Sequence, residues 1–399
     1  MPDDLDLPWC FSDEHHAWQK SVREFCERVV EPGATQRSIE SRFDPDLVAE
    51  VGRLGAYGLR VPEAYGGSGA DLRSMCIAAE ELSAVDSSLA VTVHVQAIVA
   101  ALFAHLADAD QKAEYLPAMA TGEGFCAFGL TEPTGGSDAG NIATRAGRDG
   151  GDWVINGAKQ FITNSGTPCS RHVLLFAATG EEAVLSGDTP GPPGGRPRIS
   201  ALLVPLDAPG VTVGPAYPKM GWRASDTHPL FFDDVRVPGR ALVGEEGRGY
   251  REALAFLTWA RIPIAAMSAG LARGCLRATL EFVSSRESFG RPLGAHQAVA
   301  FGVADISAMT DTARLLTYDA AWKYDNGFPI DREAAVSKLA ASELANKIAY
   351  RATQLHGGYG FMDDSDVTRH YRDARILTIG EGTSEVQRLL IARGLGLPV

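Results

Sequence analysis

Hydrophobic residues recur at helical spacing through the first 120 or so residues of the chain. Trp18, Val22 and Phe25 stand three to four positions apart among charged side chains, which is typical of an amphipathic surface helix. Helices are predicted over residues 13–31, 46–54, 71–85, 89–106 and 109–119. The N-terminal part of the chain is therefore predicted to be all-helical.

The pattern changes near residue 124. Short segments rich in β-branched and aromatic residues follow, separated by turn sequences such as Asn156-Gly157, and they predict a small antiparallel β domain. The predicted strands are 153–156, 159–164, 171–177, 199–204, 211–213 and 229–233. Residues 180–198 are crowded with Pro and Gly, and we expect them to form a mobile surface insertion.

Helical spacing returns after residue 238, with predicted helices at 250–283, 297–326 and 331–355 and a shorter one after Glu381. Short connections between long helices favour a four-helix bundle. The predicted fold class is therefore α+β and multidomain. Its predicted domains are an N-terminal helical domain (1–123), a middle antiparallel β domain (124–238) and a C-terminal four-helix bundle (239–399).

Composition narrows the function classes. Residues 89–107 are almost continuously apolar, but His94 and Gln96 interrupt them, so a buried core helix is favoured over a membrane span. The net charge of -13 and the absence of basic runs argue against nucleic acid as a partner. Six cysteines without a CxxC pair predict free thiols rather than disulfides or a metal site. No signal peptide is predicted at the N-terminus, and the expected location is cytoplasmic.

The most informative stretch is centred on Glu381. This carboxylate lies between Gly380 and Gly382, directly before an amphipathic run that Thr383 or Ser384 could cap. A glycine-flanked carboxylate can approach a ligand closely, and the free N–H groups of the helix end can receive a phosphate or oxyanion. From these residues alone, a solvated glutamate in an ordinary turn is an equally good interpretation.

Four other stretches carry candidate chemistry. Residues 128–138 run from an apolar strand into a loop of hydroxyls and glycines, suited to a polar heteroaromatic ring, and 161–164 place an aromatic ring beside a hydroxyl. Residues 286–297 offer a guanidinium, an aromatic ring and an amide between two helices, and 354–361 break a helix at two glycines. A strand-to-loop transition, a salt-bridged interhelix loop and a helix cap are their structural alternatives.

In this order and spacing, these stretches resemble the acyl-CoA dehydrogenase family over essentially the whole chain. The resemblance implies a homotetramer built as a dimer of dimers. It also implies one FAD per subunit, bound between the β domain and the bundle. The substrate would be an acyl-CoA thioester, and an electron-transfer flavoprotein would be the usual electron acceptor.

The family's roles can be placed on matching residues. Glu381 resembles the catalytic base, because a second position used by some relatives, directly before Arg261, is Ala260 here. Residues that resemble the FAD-binding set are Phe128, Leu130, Thr131, Gly136, Ser137, Phe161, Ile162, Thr163, Thr383, Ser384 and Glu385. Residues that resemble those reaching the neighbouring subunit's FAD are Arg286, Ser288, Phe289, His296, Gln297, Gln354, Leu355, His356, Gly357 and Gly358. Substrate contacts are expected from Ser137, Thr258, Trp259, Arg261, Gly380 and Gly382.

The resemblance implies a trans-2-enoyl thioester as product, with Glu381 removing the α proton while the β hydrogen leaves as hydride to flavin N5. Two residues depart from the usual pattern. Gly380 stands where many relatives carry Tyr, which opens volume beside the substrate and favours a branched or cyclic acyl group, with Trp259 narrowing the deeper end. His356 replaces a common apolar residue, and we expect a histidine with satisfied hydrogen bonds there.

Other activities remain open on the same fold. The chain could oxidise an acyl group on a carrier protein, or return electrons to oxygen as an acyl-CoA oxidase does. A non-catalytic FAD subunit is disfavoured by the intact Glu381. A nitroalkane oxidase is disfavoured because its base would be Asp.

Overall fold

The computed structural model of the chain describes residues 7–180 and 198–399, which follow one another as helices, sheet and helices. This order confirms the predicted fold class. The mobile insertion predicted at 180–198 falls mostly on residues 181–197, which lie outside the described residues.

The N-terminal part contains six α-helices. They are α1 (Asp13–Phe25), α2 (Ala34–Glu40), α3 (Pro45–Leu54), α4 (Leu72–Val85), α5 (Ser87–Leu106) and α6 (Ala109–Thr121). The single helix predicted over 13–31 ends earlier, because a π-helical turn, Cys26–Val30, follows α1. Asp86 caps α5 by accepting hydrogen bonds from the N–H groups of Ser88 and Leu89.

The middle part is an eight-stranded sheet in the order β6-β7-β3-β2-β4-β5-β8, with β1 paired to β4. Its strands are β1 (Phe125–Gly129), β2 (Arg145–Asp149), β3 (Asp152–Thr163), β4 (Ser170–Thr179), β5 (Arg198–Pro205), β6 (Val211–Val213), β7 (Thr227–Pro238) and β8 (Leu242–Val243). The pairings are antiparallel except that β1 and β2 each run parallel to β4.

The turn predicted at Asn156-Gly157 is wrong, because both residues lie inside the single long strand β3. The register against β7 shifts between Ile155 and Gly157, so the glycine marks a β-bulge. Gly157 has a φ of 147°, and a Cβ there would lie 2.6 Å from Thr144. Close approach of the backbone, rather than a hairpin, explains this glycine.

The C-terminal part contains the remaining helices: α7 (Gly249–Ser285), α8 (Gln297–Asp325), α9 (Asp331–His356), α10 (Asp366–Leu377) and α11 (Ser384–Gly394). A short hairpin of β9 (Glu287–Ser288) and β10 (Arg291–Pro292) joins α7 to α8. Helix α10 was not predicted, because its charged residues are as numerous as its apolar ones. It packs against α7 and α9, while α11 packs against α9.

Helix α5 lies where the three parts meet, with contacts to α4, α6, α7 and β1. By length and composition, α5 and α7 could cross a membrane, but 83% and 78% of their most apolar windows are buried inside the protein. Such burial is the behaviour of core helices, as predicted for residues 89–107. All six cysteines are free thiols.

Candidate active site

Glu381 lies in a tight loop between α10 and α11. Its φ is 54°, in the left-handed region that non-glycine residues rarely adopt, and Gly382 follows with a φ of 89°. Thr383 is the N-cap of α11, since its side chain accepts a hydrogen bond from the N–H of Val386. The glycine-flanked loop before a helix N-terminus is therefore present, with backbone strain of the kind found at functional sites.

Buried Gln387 holds this loop in place. Its side-chain amide donates to the carbonyl oxygens of Glu381, at 3.2 Å, and Gly382, at 2.9 Å. From the opposite side, the ammonium group of Lys338 on α9 donates to the same Gly382 carbonyl at 2.7 Å. The backbone around Glu381 is thus fixed while its side chain stays free of these bonds.

The Glu381 carboxylate is largely removed from water, with a side chain 18% exposed. Its Oε2 is buried and has no hydrogen-bond partner among the described residues. Burial raises the pKa of Glu381 above its usual range, although the charges of Arg261 and Lys338 act to lower it. A carboxylate with raised proton affinity and no fixed partner is suited to accepting a proton.

Two cations act on this carboxylate. Arg261 on α7 is 8% exposed, and its Nε has no hydrogen-bond partner among the residues described. Lys338 is fully buried, and burial lowers its pKa to about 8 despite the opposing charge of Glu381. The charges of both cations favour the ionised form of Glu381 and oppose the effect of burial on its pKa.

Helix α5 connects the Glu381 loop to the sheet. The Nε2 of His94 lies 3.9 Å from Glu381 Oε1. Two residues earlier, the Thr92 carbonyl accepts a hydrogen bond from the Asn164 side chain at 2.9 Å, at the end of β3. Two residues later, the Gln96 side chain accepts from the Cys126 N–H of β1 at 2.9 Å. Helix α5 therefore contacts Glu381 through His94 and the sheet through Thr92 and Gln96.

The two stretches expected to hold a flavin ring lie side by side. The N–H of Gln160 donates to the carbonyl of Thr131 at 2.9 Å, which joins the start of the 128–138 loop to β3. Beneath them, buried Lys159 donates to Glu132 at 2.7 Å and to the Leu130 carbonyl at 3.2 Å. This ion pair fixes the backbone of both stretches.

Phe161 gives this surface an open aromatic ring. Its side chain is 59% exposed and its φ is 60°, so the strand turns there and directs the ring outward. Ile162 is buried, Thr163 is half-buried, and Gly136 and Ser137 are exposed on the neighbouring loop. An exposed ring beside hydroxyls and free backbone is suited to a planar polar ligand.

The second set of predicted cofactor residues forms a separate cluster at one end of the bundle. The Arg286 guanidinium lies over the Tyr359 ring at 5.6 Å, and the Phe282 ring stacks on His356 at 4.3 Å, so 286–297 and 354–361 meet. His356 Nδ1 donates to the Ala352 carbonyl at 2.8 Å, as expected of a satisfied histidine. Gln297, Gln354, Gly357 and Gly358 are exposed, and Ser288, His296 and Leu355 are half-buried.

Trp259 and Thr258 lie on α7 near Arg261. The Trp259 ring is 7% exposed and packs against Phe256 and Tyr324, at centroid distances of 4.4 and 6.0 Å. The Arg60 guanidinium lies 5.3 Å from the same ring. These contacts place Trp259 in the core that joins α7 to the N-terminal helices, and its narrowing of an acyl cavity stays a prediction.

Sequence reasoning missed four residues of the site: His94, Lys159, Lys338 and Gln387 in the roles described above. All four side chains are buried. Three of them contact residues distant in sequence, whereas Gln387 contacts the loop just before its own helix. For His94, the available signal is a polar residue inside an otherwise apolar run, which from sequence alone argues only against a membrane span.

Comparisons with known proteins cover all three parts of the chain. Family models match at residues 12–123 for the acyl-CoA dehydrogenase N-terminal domain, 127–235 for the middle domain and 247–396 for the C-terminal domain. A probable acyl-CoA dehydrogenase, YngJ of Bacillus subtilis, is 38% identical over 96% of this chain and 98% of its own length.

Solved structures agree. Butyryl-CoA dehydrogenase from Megasphaera elsdenii is similar with a TM-score of 0.89 and 34% identity, covering 98% of this chain and 100% of that one. A glutaryl-CoA dehydrogenase from Mycobacterium smegmatis in complex with FADH2 is similar with a TM-score of 0.90 and 30% identity. The match covers 98% of this chain and 96% of that one. The chain therefore belongs to the acyl-CoA dehydrogenase family of flavoprotein oxidoreductases.

Proposed function

We propose that this protein catalyses FAD-dependent α,β-dehydrogenation of an acyl-CoA thioester to the trans-2-enoyl-CoA, with Glu381 as the base. The observation that supports this most strongly is the buried, unpartnered Glu381 Oε2 in a backbone conformation fixed by Gln387 and Lys338. A proton acceptor needs a free lone pair and a fixed position, and Glu381 has both.

The α proton of a thioester is only weakly acidic, so the carbonyl oxygen must be stabilised while the proton leaves. The Glu381 N–H donates to no acceptor within residues 7–180 and 198–399, so it is free to serve the thioester oxygen. Burial raises the pKa of Glu381, and the charges of Arg261 and Lys338 oppose that shift and so favour the ionised form that can take the proton. Low exposure of the side chain excludes water from the proton transfer.

FAD would supply the acceptor for the β hydrogen, which leaves as hydride when the α proton is removed. The residues that would hold it are the exposed Phe161 with Thr131 and Thr163 at the ring, and Thr383, Ser384 and Glu385 at the start of α11. Ser384 supports this fit, because its hydroxyl is buried and unpartnered at a helix N-terminus where a phosphate would bind.

A homotetramer in which each FAD contacts two subunits is part of the same proposal. Phe289 and Phe361 are 95% and 86% exposed beside the cluster of Arg286 and Tyr359, and exposed aromatic rings of this kind favour a partner surface. An electron-transfer flavoprotein is the proposed electron acceptor, and the cytoplasm is the proposed location.

Glu381→Gln keeps the shape of the side chain and removes its basicity. Loss of a general base typically lowers the rate about 10² to 10⁴-fold. We expect the purified variant to keep its FAD and bind acyl-CoA, while anaerobic flavin bleaching, followed by stopped flow, slows by that factor. Unchanged bleaching kinetics would remove Glu381 from the proposal.

The same experiment separates the related activities. Bleaching of the wild-type enzyme by free acyl-CoAs indicates a CoA substrate, whereas bleaching only by acyl-carrier protein indicates a carrier substrate. Rapid return of the flavin colour in air indicates an oxidase, and slow return indicates a dehydrogenase.

A further inference from the structure

His94 is a buried histidine without hydrogen bonds, located beside the proposed base. Its side chain is 1% exposed, and neither ring nitrogen has a hydrogen-bond partner among the described residues. Buried polar groups in proteins are nearly always paired, so two unpaired nitrogens on one ring call for an explanation. An apolar side chain at this position of α5 would avoid the cost of burying them.

The neighbour that gives His94 a role is Glu381. Its Oε1 lies 3.9 Å from His94 Nε2, and its Oε2 is also without a partner. A distance of 3.9 Å is too long for a hydrogen bond. The terminal torsion of a glutamate side chain is broad, however, so the carboxylate can rotate and change its distance to His94 Nε2.

His94 would act as a neutral donor. Burial lowers its pKa to about 3, so the imidazole carries no charge at working pH. The charged groups that act on Glu381 from the other packed elements are Arg261 on α7 and Lys338 on α9. His94 faces Glu381 from α5. The two cations attract the carboxylate through their charge, whereas a hydrogen bond from His94 would fix the orientation of the carboxylate.

We propose that His94 is a positioning residue for the base: its Nε2–H donates to Glu381 Oε1 and orients the free Oε2 toward the α carbon of the substrate. The bond shortens when an acyl chain fills the site and excludes water, as catalytic hydrogen bonds often do. Because the donor favours the ionised carboxylate, it also sets the pH at which Glu381 begins to work. This inference rests on the proposed role of Glu381.

The test compares two variants of the FAD-loaded enzyme. His94→Leu removes the donor, whereas His94→Gln keeps an amide near the position of Nε2. The readout is the anaerobic rate of flavin reduction by butyryl-CoA between pH 5 and 7, below the range where Lys338 titrates, given its pKa of about 8. His172→Leu, a change in a partly buried histidine on β4 whose ring packs against Tyr115, is the control for loss of an imidazole.

For His94→Leu we expect the acid limb of the pH profile to move upward by about one unit, which is about a tenfold lower rate at pH 5 to 6. His94→Gln should return most of the wild-type profile, and His172→Leu should keep it. A wild-type profile in His94→Leu, or equal shifts in the Leu and Gln variants, would overturn the proposal, since packing alone would then explain the residue.

If His94→Leu does not retain FAD, His94→Asn replaces it, because the shorter amide reaches the position of Nδ1 rather than Nε2. A shifted profile for Asn with a normal one for Gln supports the donor, and identical profiles contradict it. Glu381→Gln is measured in parallel. Residual rapid reduction in that variant would refute the base itself, independently of any result at His94.

Discussion

Glu80 and Glu381 are both carboxylates in the helical interior, and they differ in what surrounds them. Glu80 on α4 is fully buried, and both of its oxygens are paired. Oε1 accepts from Arg273 at 2.8 Å and Arg314 at 2.7 Å, while Oε2 accepts from the Tyr318 hydroxyl at 2.6 Å. Glu381 has one oxygen without a partner and the other 3.9 Å from a neutral histidine.

The difference separates a structural carboxylate from the proposed catalytic one. The partners of Glu80 come from α7 and α8, so its charge ties the N-terminal helices to the bundle. Neighbouring Glu81 is also paired: burial acts to raise the pKa of Glu81, but the charges of Arg273 and Arg23 hold that pKa below its usual range. At Glu381 burial prevails, and the pKa is raised. A buried carboxylate paired with guanidinium groups, such as Glu81, resists protonation, whereas one with an unpaired buried oxygen, such as Glu381, accepts a proton more readily.

Removing the paired carboxylate should affect stability most. Glu80→Ala removes a buried carboxylate that accepts hydrogen bonds from Arg273, Arg314 and Tyr318, and breaking a buried ion pair in this way costs about 3 to 5 kcal/mol. We expect that loss in denaturant unfolding of the holoenzyme, with flavin reduction per bound FAD close to wild type.

The control is an exposed ion pair between α9 and α11. Arg388 and Glu343 are 54% and 43% exposed and lie 2.6 Å apart. Glu343→Ala should change the free energy of unfolding by no more than about 1 kcal/mol. Equal losses for Glu80→Ala and Glu343→Ala would mean that the buried cluster has no special structural role.

The loop that carries Glu381 also has open space beside it. A Cβ added at Gly380 would meet only the Ile376 carbonyl, at 3.7 Å, so this side of the Glu381 loop is open. Gly380→Tyr should fill that space and disfavour branched or cyclic acyl groups relative to butyryl, by about 1 to 3 kcal/mol of discrimination.

That prediction is checked by kcat/KM for isobutyryl-, cyclohexanecarbonyl-, butyryl- and palmitoyl-CoA in both enzymes. Gly380→Ala, which adds only a methyl group, serves as the control. A wild-type preference for palmitoyl-CoA, or an unchanged ranking after Gly380→Tyr, would show that the open side is not part of the acyl site.

The smallest expected effect is on the stability of Glu381→Gln. Because the pKa of Glu381 is raised in the folded protein, ionisation of Glu381 lowers the free energy of unfolding. This loss develops as pH rises through the folded pKa. The Gln variant, which does not titrate, should therefore melt above wild type at pH 8, with the gap closing toward pH 4. A gap that instead widens as pH falls would contradict the raised pKa.

The comparison also shows what the sequence could predict. Periodicity predicted the helix–sheet–helix order, and the glycines around Glu381 predicted its loop, because these signals are local. The charged helix α10 and the bulge at Gly157 were missed, since tertiary contacts rather than local pattern determine them. His94 and Lys338 approach Glu381 from helices distant in sequence, so only the folded chain shows that they lie near this carboxylate.

The proton-abstracting role of Glu381 is tested most directly by hydrogen exchange at the α carbon, apart from any hydride transfer. 3,3-Dimethylbutyryl-CoA has two α hydrogens and no β hydrogen, so its flavin-dependent oxidation is impossible while α-proton removal is not. In D2O, mass spectrometry should show deuterium entering this thioester with wild type and with Glu80→Ala. With Glu381→Gln, exchange should be about 10² to 10⁴-fold slower. Exchange by Glu381→Gln at the wild-type rate would contradict the assignment of Glu381 as the base.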